Sequence, residues 1–332
     1  MTMRRIGRNG PEVSALGIGA MSFSNFYGET DEAHSHAILD AARKAGVTHI
    51  DTANVYGMGT SEAAIGTYFA KNGAGLRDEF HIATKAAITR RDGKRFFDNT
   101  LAYLENELDQ SLTRLGTDHV DLFYVHRRNP DIPIEEVAGF LGQLKTKGKT
   151  RGIGFSEIAP TSLRRAVTEH PVDAVQSEYS LSTRAPELGL VQACAEVGAT
   201  LVAFSPVGRS LLTDDPIPLE RASGLPWLGT NPRFLEPNYS ANLEAVKPFR
   251  ALASDLDLPA AGLAIAWVLA QGDHVTAIPG TRSVAHFMEL VTGWQRALTP
   301  EEVKAVEEAL PLGWAHGDRY SEDQWVGPER YC

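Results

Sequence analysis

Short apolar runs alternate with longer segments of helical period along most of the chain, and this alternation constrains its fold more than any other feature. Eight of the runs read as β-strands separated by helical segments. Strands that are apolar throughout and separated by helices are typical of a parallel sheet buried on both faces. Eight such units suit a closed barrel, and no Gly-x-Gly-x-x-Gly fingerprint supports a doubly wound sheet. The predicted fold is therefore an α/β (β/α)8 TIM barrel.

The eight units run without a change in composition, so residues 1–332 are expected to form a single domain. The turn signal "RNGPE" predicts an N-terminal hairpin before the barrel. A long irregular loop, about residues 208–240, follows the seventh strand, and its glycines, prolines and Trp227 suggest a cover over the site. The run "AAGLAIAWVLA" from Ala260 is about half the length of a membrane-spanning helix, so a buried helix is expected there.

Composition narrows the possible partners. The formal net charge of −10 argues against a general nucleic-acid binder but permits an anionic ligand at a local basic site. Cys194 and Cys332 are the only cysteines, so neither a disulfide framework nor a thiolate cluster is expected. The histidines, such as His34 and His36, show no metal-ligand pattern, so no metal site is expected. The start "MTMRRIGRNGPEVS" lacks the apolar core of a secretory signal, which predicts a cytoplasmic protein without a membrane partner.

Ionisable side chains gather at the predicted carboxyl ends of strands two, three and four, where such barrels hold their active sites. Asp51 ends "VTHID", Tyr56 follows on the loop, Lys85 ends "FHIATK" and His126 ends "HVDLFYVH". A tyrosine has an ordinary pKa of about 10, and a neighbouring lysine would lower it by favouring the phenolate. Asp51 can pair with Lys85, while His126 can hydrogen-bond a substrate oxygen. The phenol then becomes a general acid for a carbonyl oxygen. No side chain supplies hydride, so a nicotinamide cofactor is implied.

Each of these residues also has a purely structural interpretation. Asp51 can cap the next helix, Tyr56 can pack on the rim, and Lys85 can be a solvated strand end. His126 can belong to a surface charge cluster with Arg127. Four such coincidences at neighbouring strand ends are much rarer than one, so the catalytic interpretation is favoured.

The sequence resembles the aldo-keto reductases, NADP(H)-dependent carbonyl reductases built on a (β/α)8 barrel. The resemblance covers nearly the whole chain, and its pieces are "LGIGAMSF", "GVTHIDTANVYG", "IATK", "DLFYVHRRNPDIPIEE", "GKTRGIGFSE", "VQSEYSLSTR", "FSPVGRSLLT", "TNPRF" and "IPGTRSV". It is most similar to the bacterial and plant-type branch with "SPxGRxxLT" and "TNPRF". The combined pattern is very specific, whereas "GxGxM" or "SP" alone is weak.

On matching positions, the resemblance implies that Asp51, Tyr56, Lys85 and His126 form the catalytic tetrad. Tyr56 would be the acid/base, and His126 would bind the carbonyl. The implied coenzyme contacts are Gly19, Met21, Ser156, Gln176, Tyr179, Ser205, Pro206, Val207, Gly208, Arg209, Ser210, Leu211, Thr281, Arg282 and Glu289.

These contacts divide by the part of the coenzyme that they match in the family. Ser156 and Gln176 match the positions that hold the nicotinamide carboxamide, and Tyr179 matches the aromatic that stacks on the nicotinamide. The loop of residues 205–212 matches the segment along the pyrophosphate, where Arg209 would supply charge. Thr281 and Arg282 match the segment near the adenosine 2′-phosphate.

The chain departs from the family pattern at three positions. Glu157 replaces the asparagine that is commoner in some relatives. Asn129 stands for aspartate in "HRxD", which bears on a local salt bridge. His286 stands where an arginine commonly faces the adenosine phosphate. Because Arg282 remains for the phosphate, NADPH is still expected to be preferred over NADH, but the loss of the arginine at position 286 means that NADH is not excluded.

The resemblance implies reduction of aldehydes or ketones by a monomer or a weak homo-oligomer. Two alternatives remain open at this stage. One is a Schiff-base lyase or aldolase, in which Lys85 is the nucleophile on the same fold. The other is a non-catalytic binding subunit, like the potassium-channel β subunits that resemble this family.

Overall fold

The computed structural model describes residues 1–73 and 75–330, so Cys332 lies outside the described residues. Its strands in chain order are β1 (Met3–Arg5), β2 (Glu12–Ser14), β3 (Ile18–Gly19), β4 (His49–Asp51), β5 (His81–Ala86), β6 (Ile88–Arg91), β7 (Lys94–Phe97), β8 (Val120–Val125), β9 (Thr150–Ser156), β10 (Ala174–Glu178), β11 (Thr200–Phe204) and β12 (Val275–Ile278). Its helices are α1 (Glu32–Ala45), α2 (Thr60–Asn72), α3 (Leu101–Leu115), α4 (Ile134–Thr146), α5 (Pro160–Glu169), α6 (Leu190–Val197), α7 (Leu219–Gly224), α8 (Asn238–Ala245), α9 (Lys247–Asp255), α10 (Ala260–Leu269), α11 (Val284–Gln295) and α12 (Pro300–Ala309).

Parallel strands close into a barrel at the centre of the molecule. Their order around the barrel is β3, β4, β5, β8, β9, β10, β11 and β12. A parallel bridge joins Leu16, before β3, to Ala277 of β12, and the Gly17 amide donates to the Ala277 carbonyl at 2.8 Å. Helices between successive strands cover the outside. This is the (β/α)8 barrel, so the predicted fold class is confirmed.

Two hairpins lie outside the barrel. β1 and β2 pair antiparallel, as the turn in "RNGPE" predicted. β6 and β7 form a second antiparallel hairpin after β5, which was not predicted from the sequence. Its turn holds Asp92 and Gly93 at φ values of 52° and 75°. An Asp-Gly pair between two β-type runs is the signal that could have revealed it.

Capping and burial explain the helices. The carboxylate of Asp31 accepts a hydrogen bond from the His34 amide at 2.8 Å and begins α1. Gly46, at φ 80°, ends α1, because glycine adopts this left-handed conformation without strain. Every residue of α10 is buried, so the apolar run from Ala260 is a core helix, as predicted.

The segment after β11 differs from the irregular loop that was predicted. It contains α7 and several short 3-10 turns, and it has a small core of its own. Leu211, Leu228, Phe234 and Tyr239 are buried in this core, and the rings of Phe234 and Tyr239 stack with centroids 5.3 Å apart. The segment therefore has apolar contacts of its own to hold it in place.

Within the described residues, no single helix has the length and apolar composition to cross a membrane. Residues Asn238–Asp255 and Ala260–Leu269 meet the requirements of length and composition only when taken together, and they are bent by 88° at their junction.

Candidate active site

Asp51 and Lys85 form a buried pair at the carboxyl ends of β4 and β5. Asp51 is the last residue of β4, and both side chains are buried. The Lys85 ammonium donates to the Asp51 carboxylate and, at 2.7 Å, to the Thr52 carbonyl. Burial lowers the pKa of Lys85 and raises that of Asp51, while their mutual contact opposes both changes. The pair is fixed in place by hydrogen bonds instead of being open to solvent.

Tyr56 and His126 lie beside this pair. The Lys85 nitrogen is 5.0 Å from the centroid of the Tyr56 ring. The Tyr56 and His126 rings meet edge to face, with their centroids 5.8 Å apart. Tyr56 lies on the loop after β4, and His126 directly follows β8. The structure therefore brings together the four side chains that the sequence placed at neighbouring strand ends.

The pKa of Tyr56 is raised, which corrects the expectation that Lys85 would lower it. Desolvation of the phenol is the largest cause, and the negative charge of Asp51 adds to it. Lys85, whose nitrogen lies 5.0 Å from the centroid of the Tyr56 ring, does not bring this pKa down. The cation that opposes the rise is Arg127. Tyr56 is therefore a protonated phenol at neutral pH.

His126 is a neutral imidazole at neutral pH. Burial lowers its pKa well below 6.5, and the charges of Arg127 and Lys85 act in the same direction. Its Nδ1 atom is buried without a hydrogen-bond partner among the described residues. A buried acceptor without a partner is tolerated better than a buried N–H without one, so we assign the proton to Nε2. His126 can then donate one hydrogen bond from Nε2.

A cavity of about 830 Å³ opens at the carboxyl ends of the barrel strands, and Asp51, Tyr56 and His126 line it. Its volume lies within the range of small-molecule and cofactor sites, roughly 300–1,000 Å³. Most of the predicted coenzyme contacts also line it, namely Gly19, Met21, Ser156, Gln176, Ser205, Pro206, Val207, Arg209, Ser210, Thr281, Arg282 and Glu289.

Three predicted coenzyme contacts, Tyr179, Gly208 and Leu211, are not brought to the cavity wall. Tyr179 is fully buried, and its ring packs edge-on against Trp267 of α10 with centroids 5.6 Å apart. Its side chain thus faces the helix layer and not the barrel end. Phe204, the last residue of β11, is the aromatic that lines the cavity there.

Gln176 and Ser156, which match carboxamide-binding positions, have partners within the chain. The Gln176 amide donates from Nε2 to Asp51 Oδ2 at 2.7 Å. The Ser156 hydroxyl accepts from Arg127 Nη1 at 3.0 Å. Arg127 also donates to the His126 carbonyl at 2.6 Å, so it joins β9 to the end of β8. The sequence did not assign Arg127 a site role, although it adjoins His126.

Two buried carboxylates at the ends of β9 and β10 are held by arginines. Arg319 donates to Glu157, and Arg209 donates from Nη2 to Glu178 Oε2 at 2.7 Å. Burial alone would raise the pKa of Glu157, but Arg319 brings it below the usual value. Arg209 lines the cavity, but its charge is matched by Glu178.

The loop after β11 carries unusual backbone conformations. Ser205, Arg209 and Ser210 have φ values of 50°, 54° and 80°, a region that residues other than glycine rarely adopt. Strained residues of this kind cluster at ligand-binding loops. All three line the cavity, which fits a loop shaped to approach a ligand.

The C-terminal tail, residues 311–330, supplies site residues that the sequence did not reveal. Arg319 reaches Glu157, and Glu329 pairs with Arg128 at 2.6 Å. Tyr320 lines the cavity, and its ring meets that of Trp227 edge to face at 5.8 Å. No periodic pattern marks this tail in the sequence, so its position could be learned only from the fold.

Cationic side chains line the part of the cavity next to α11. The Ser283 hydroxyl caps that helix by accepting from the His286 amide at 3.4 Å. Arg282 Nη1 donates to the Glu29 carbonyl at 3.0 Å. Arg221 of α7 also lines the cavity and was not predicted. Positive side chains and the amino end of a helix together suit an anionic group.

Comparison with known proteins agrees with this geometry. The model of the family described as Aldo/keto reductase family matches residues 15–311, which include all four of the converging side chains. The chain belongs to the aldo/keto reductase family. The family predicted from the sequence pieces is thereby confirmed.

Several relatives of this aldo/keto reductase align over nearly their whole length. It is 36% identical to aldo-keto reductase yakc of Schizosaccharomyces pombe, whose name specifies NADP(+), over 96% of this chain and 94% of that protein. It is 34% identical to probable aldo-keto reductase 1 of Glycine max, over 95% of this chain and 91% of that protein.

Solved structures give the same result. A glycerol dehydrogenase from Gluconobacter oxydans is similar with a TM-score of 0.80 at 28% identity, over 93% of this chain and 94% of that one. The holo form of an aldo-keto reductase from Bacillus halodurans is similar with a TM-score of 0.76 at 27% identity, over 98% of this chain and 99% of that one.

One departure of this aldo/keto reductase from its family pattern has a local structural role. The side-chain oxygen of Asn129 accepts a hydrogen bond from the backbone N–H of Asp131 at 3.0 Å. The backbone N–H of Asn129 donates to Asn99 Oδ1 at 2.7 Å. Asn129 therefore shapes the turn after His126. The neighbouring Arg128 takes Glu329 of the tail as its partner.

Proposed function

We propose that this chain is an NADP(H)-dependent reductase that converts aldehydes or ketones to alcohols, with Tyr56 as the general acid. The observation that carries the proposal is that Tyr56 and His126 share one cavity with Arg282 and the strained loop of residues 205–210. The same cavity thus contains acid–base groups and a site suited to an anionic cofactor. Family membership supports an oxidoreductase, and the name of the fission yeast relative supports NADP(H).

The residues present fit a nicotinamide coenzyme. Backbone of the loop at 205–210 would lie along its pyrophosphate, and Thr281 and Arg282 would lie near its adenosine phosphate. Phe204 would supply the aromatic surface for the nicotinamide in place of the buried Tyr179. When bound, the reduced coenzyme supplies the hydride that no side chain can supply.

The protein's own contribution is to position the carbonyl and to supply a proton. His126, neutral with its proton on Nε2, would donate a hydrogen bond to the carbonyl oxygen. Tyr56 keeps its proton at neutral pH because its pKa is raised. As negative charge develops on the carbonyl oxygen, that oxygen becomes more basic than a phenolate, so the phenol proton moves to it. Lys85 and Arg127 are the cations next to the phenolate that remains.

The Schiff-base lyase is the weaker alternative. A lysine nucleophile must reach the substrate carbonyl with a free amine. The Lys85 side chain is fully buried beneath Tyr56, does not line the cavity and is bonded to Asp51. Its position fits an electrostatic role better than a nucleophilic one.

A non-catalytic binding subunit is the second alternative, and the complete tetrad disfavours it. We further propose that the protein acts as a monomer or weak homo-oligomer in the cytoplasm, on small carbonyl compounds. The glycerol dehydrogenase among the structural relatives suggests including hydroxylated aldehydes and polyols in any substrate panel.

The proposal is tested by two measurements on the same preparation. Mass spectrometry under native conditions should show one coenzyme retained per chain after addition of NADPH. Coenzyme absorbance should then fall when small aldehydes are added. Retention of NADPH without oxidation by any aldehyde or ketone would favour the binding subunit, and no retention would contradict the proposal as a whole.

A further inference from the structure

Arg221 and Arg282 come from distant parts of the chain and reach the same place. Arg221 belongs to α7, in the segment after β11, and Arg282 follows β12. The point where a Cβ atom would stand on Gly28 is 3.0 Å from Arg282 Nη1 and 3.7 Å from Arg221 Nη2. Both side chains line the cavity. Two guanidinium groups that line the cavity therefore come close to one point beside Gly28.

No acidic side chain in the described part of the chain pairs with either of these two cations. Across residues 1–73 and 75–330, neither guanidinium has a carboxylate oxygen within 4.0 Å. Arg282 donates to the Glu29 carbonyl, while the Glu29 carboxylate, although it lines the cavity, is not paired with either arginine. Arg209, also in the cavity, is matched by Glu178.

Placing two unmatched positive charges side by side is unfavourable. Burial lowers the pKa of Arg282, and the charge of Arg221 lowers it further, which is the electrostatic sign of this repulsion. In a chain with a net charge of −10, acidic partners would be easy to supply. Their absence at this spot indicates a place for an external anion with more than one acceptor oxygen.

We propose that Arg221 and Arg282 together hold the adenosine 2′-phosphate of NADP(H), so that Arg221 determines coenzyme preference in this chain. The inference rests on the proposed function. Arg221 supplies a second cation where His286 stands in place of the family's arginine. The amino end of α11, capped by Ser283, adds favourable N–H groups on the same side.

This arrangement also links coenzyme binding to the cover. α7 belongs to the segment after β11, whereas Arg282 is tied to the Glu29 carbonyl. A phosphate between the two arginines therefore joins the cover to the barrel rim. NADH has no 2′-phosphate and leaves the two cations facing each other.

The test compares binding of NADPH and NADH to the full chain by titration calorimetry. Arg221→Ala should weaken NADPH binding about tenfold and change NADH binding less than about twofold. Lys44→Ala is the matched control, because it removes one positive charge from an exposed side chain that does not line the cavity. It should leave both affinities unchanged. Thermal unfolding of each variant verifies that it is folded.

A fragment series isolates the phosphate. Adenosine 2′,5′-bisphosphate should bind the wild type more tightly than AMP does, and Arg221→Ala should remove most of that difference. In the Arg282→Ala background, Arg221→Ala should weaken binding of the bisphosphate by a smaller factor than it does in the wild type, because the two arginines share one phosphate.

The outcomes separate this inference from the proposed function. If the wild type binds both coenzymes and Arg221→Ala leaves the ratio of their affinities unchanged, the inference is overturned and the proposed function stands. Equal weakening of NADPH and NADH would also overturn the inference, because it would place Arg221 away from the 2′-phosphate. Failure of the wild type to bind either coenzyme would overturn both.

Discussion

Gln176 holds the carboxylate oxygen of Asp51 that Lys85 leaves free. Its Nε2 atom donates to Asp51 Oδ2 at 2.7 Å, while the Lys85 ammonium takes Oδ1. All three side chains are buried. Both oxygens of the carboxylate beside Tyr56 are thus satisfied, and its orientation is fixed from two strands, β5 and β10.

Removal of this amide should destabilise the fold measurably. In Gln176→Leu, Asp51 Oδ2 would be a buried acceptor without a partner. The free energy of unfolding should fall by about 1–3 kcal/mol. Urea denaturation measures it, with Gln192→Leu as a control at an exposed glutamine, where less than about 0.5 kcal/mol is expected. Equal losses in both variants would contradict the role assigned to Gln176.

The positions of the proposed catalytic side chains could be predicted because barrel geometry determines them. Side chains at the carboxyl ends of adjacent parallel strands must meet, so Asp51, Lys85 and His126 were accessible to sequence reasoning. The direction of their pKa shifts could not be predicted in the same way. The pKa of Tyr56 depends on desolvation and on Arg127, and neither the depth of burial nor the direction of an arginine follows from strand order.

The contacts that the C-terminal tail and the segment after β11 make with the site could not be predicted from the sequence either. Arg319 on the tail reaches Glu157, and Arg221 on α7 reaches the spot above Gly28. Chain segments without periodic patterns carry little information about where they dock. Tyr179 shows a related limit, because a matching motif position did not bring its ring to the cavity.

Stability should fall in mild acid because of a buried histidine pair. The rings of His49 and His81 are buried with centroids 5.2 Å apart. Burial lowers the pKa of His81 to about 4 and that of His49 well below 6.5. The unfolded chain takes up these protons near pH 6.5, so it binds more protons than the folded chain between the two values. Stability is therefore lost as the pH falls from about 6.5 to 4.

The expected contribution of His81 alone is roughly 3 kcal/mol over that range. Urea unfolding of the wild type and of His81→Gln at several pH values from 6.5 down to 4.5 measures it. The variant should lose less stability per pH unit than the wild type. The same pH slope in both proteins would show that His81 does not carry the effect.

Lys85 should form no imine with a carbonyl substrate. Its nitrogen is buried and hydrogen-bonded to Asp51. It therefore has no access to a substrate carbonyl, and as an ammonium group it has no free lone pair. Borohydride added with an aldehyde should leave the peptide containing Lys85 unmodified, while exposed Lys44 serves as the reference for nonspecific labelling. A stable adduct at Lys85 in excess of that at Lys44 would replace the reductase mechanism with a lyase mechanism.

Bound NADPH should protect the segment of residues 208–240 from protease. Trp227 and Arg221 of this segment line the cavity, and the Trp227 ring packs against that of Phe26 with centroids 6.1 Å apart. A ligand between the segment and the barrel would hold the segment closed. Limited proteolysis with and without NADPH, followed by peptide mapping, measures the cutting rate there. Equal rates in both states would show that the segment is not a cover.

The measurement closest to the central claim is the turnover of Tyr56→Phe with NADPH and an aldehyde, made beside its NADPH affinity. Loss of the phenol hydroxyl removes the proposed proton donor but keeps the ring beside Lys85 and His126. If Tyr56 is the proton donor, turnover should fall at least about a hundredfold, with NADPH affinity nearly unchanged. Turnover close to that of the wild type, with NADPH still bound, would show that another group donates the proton.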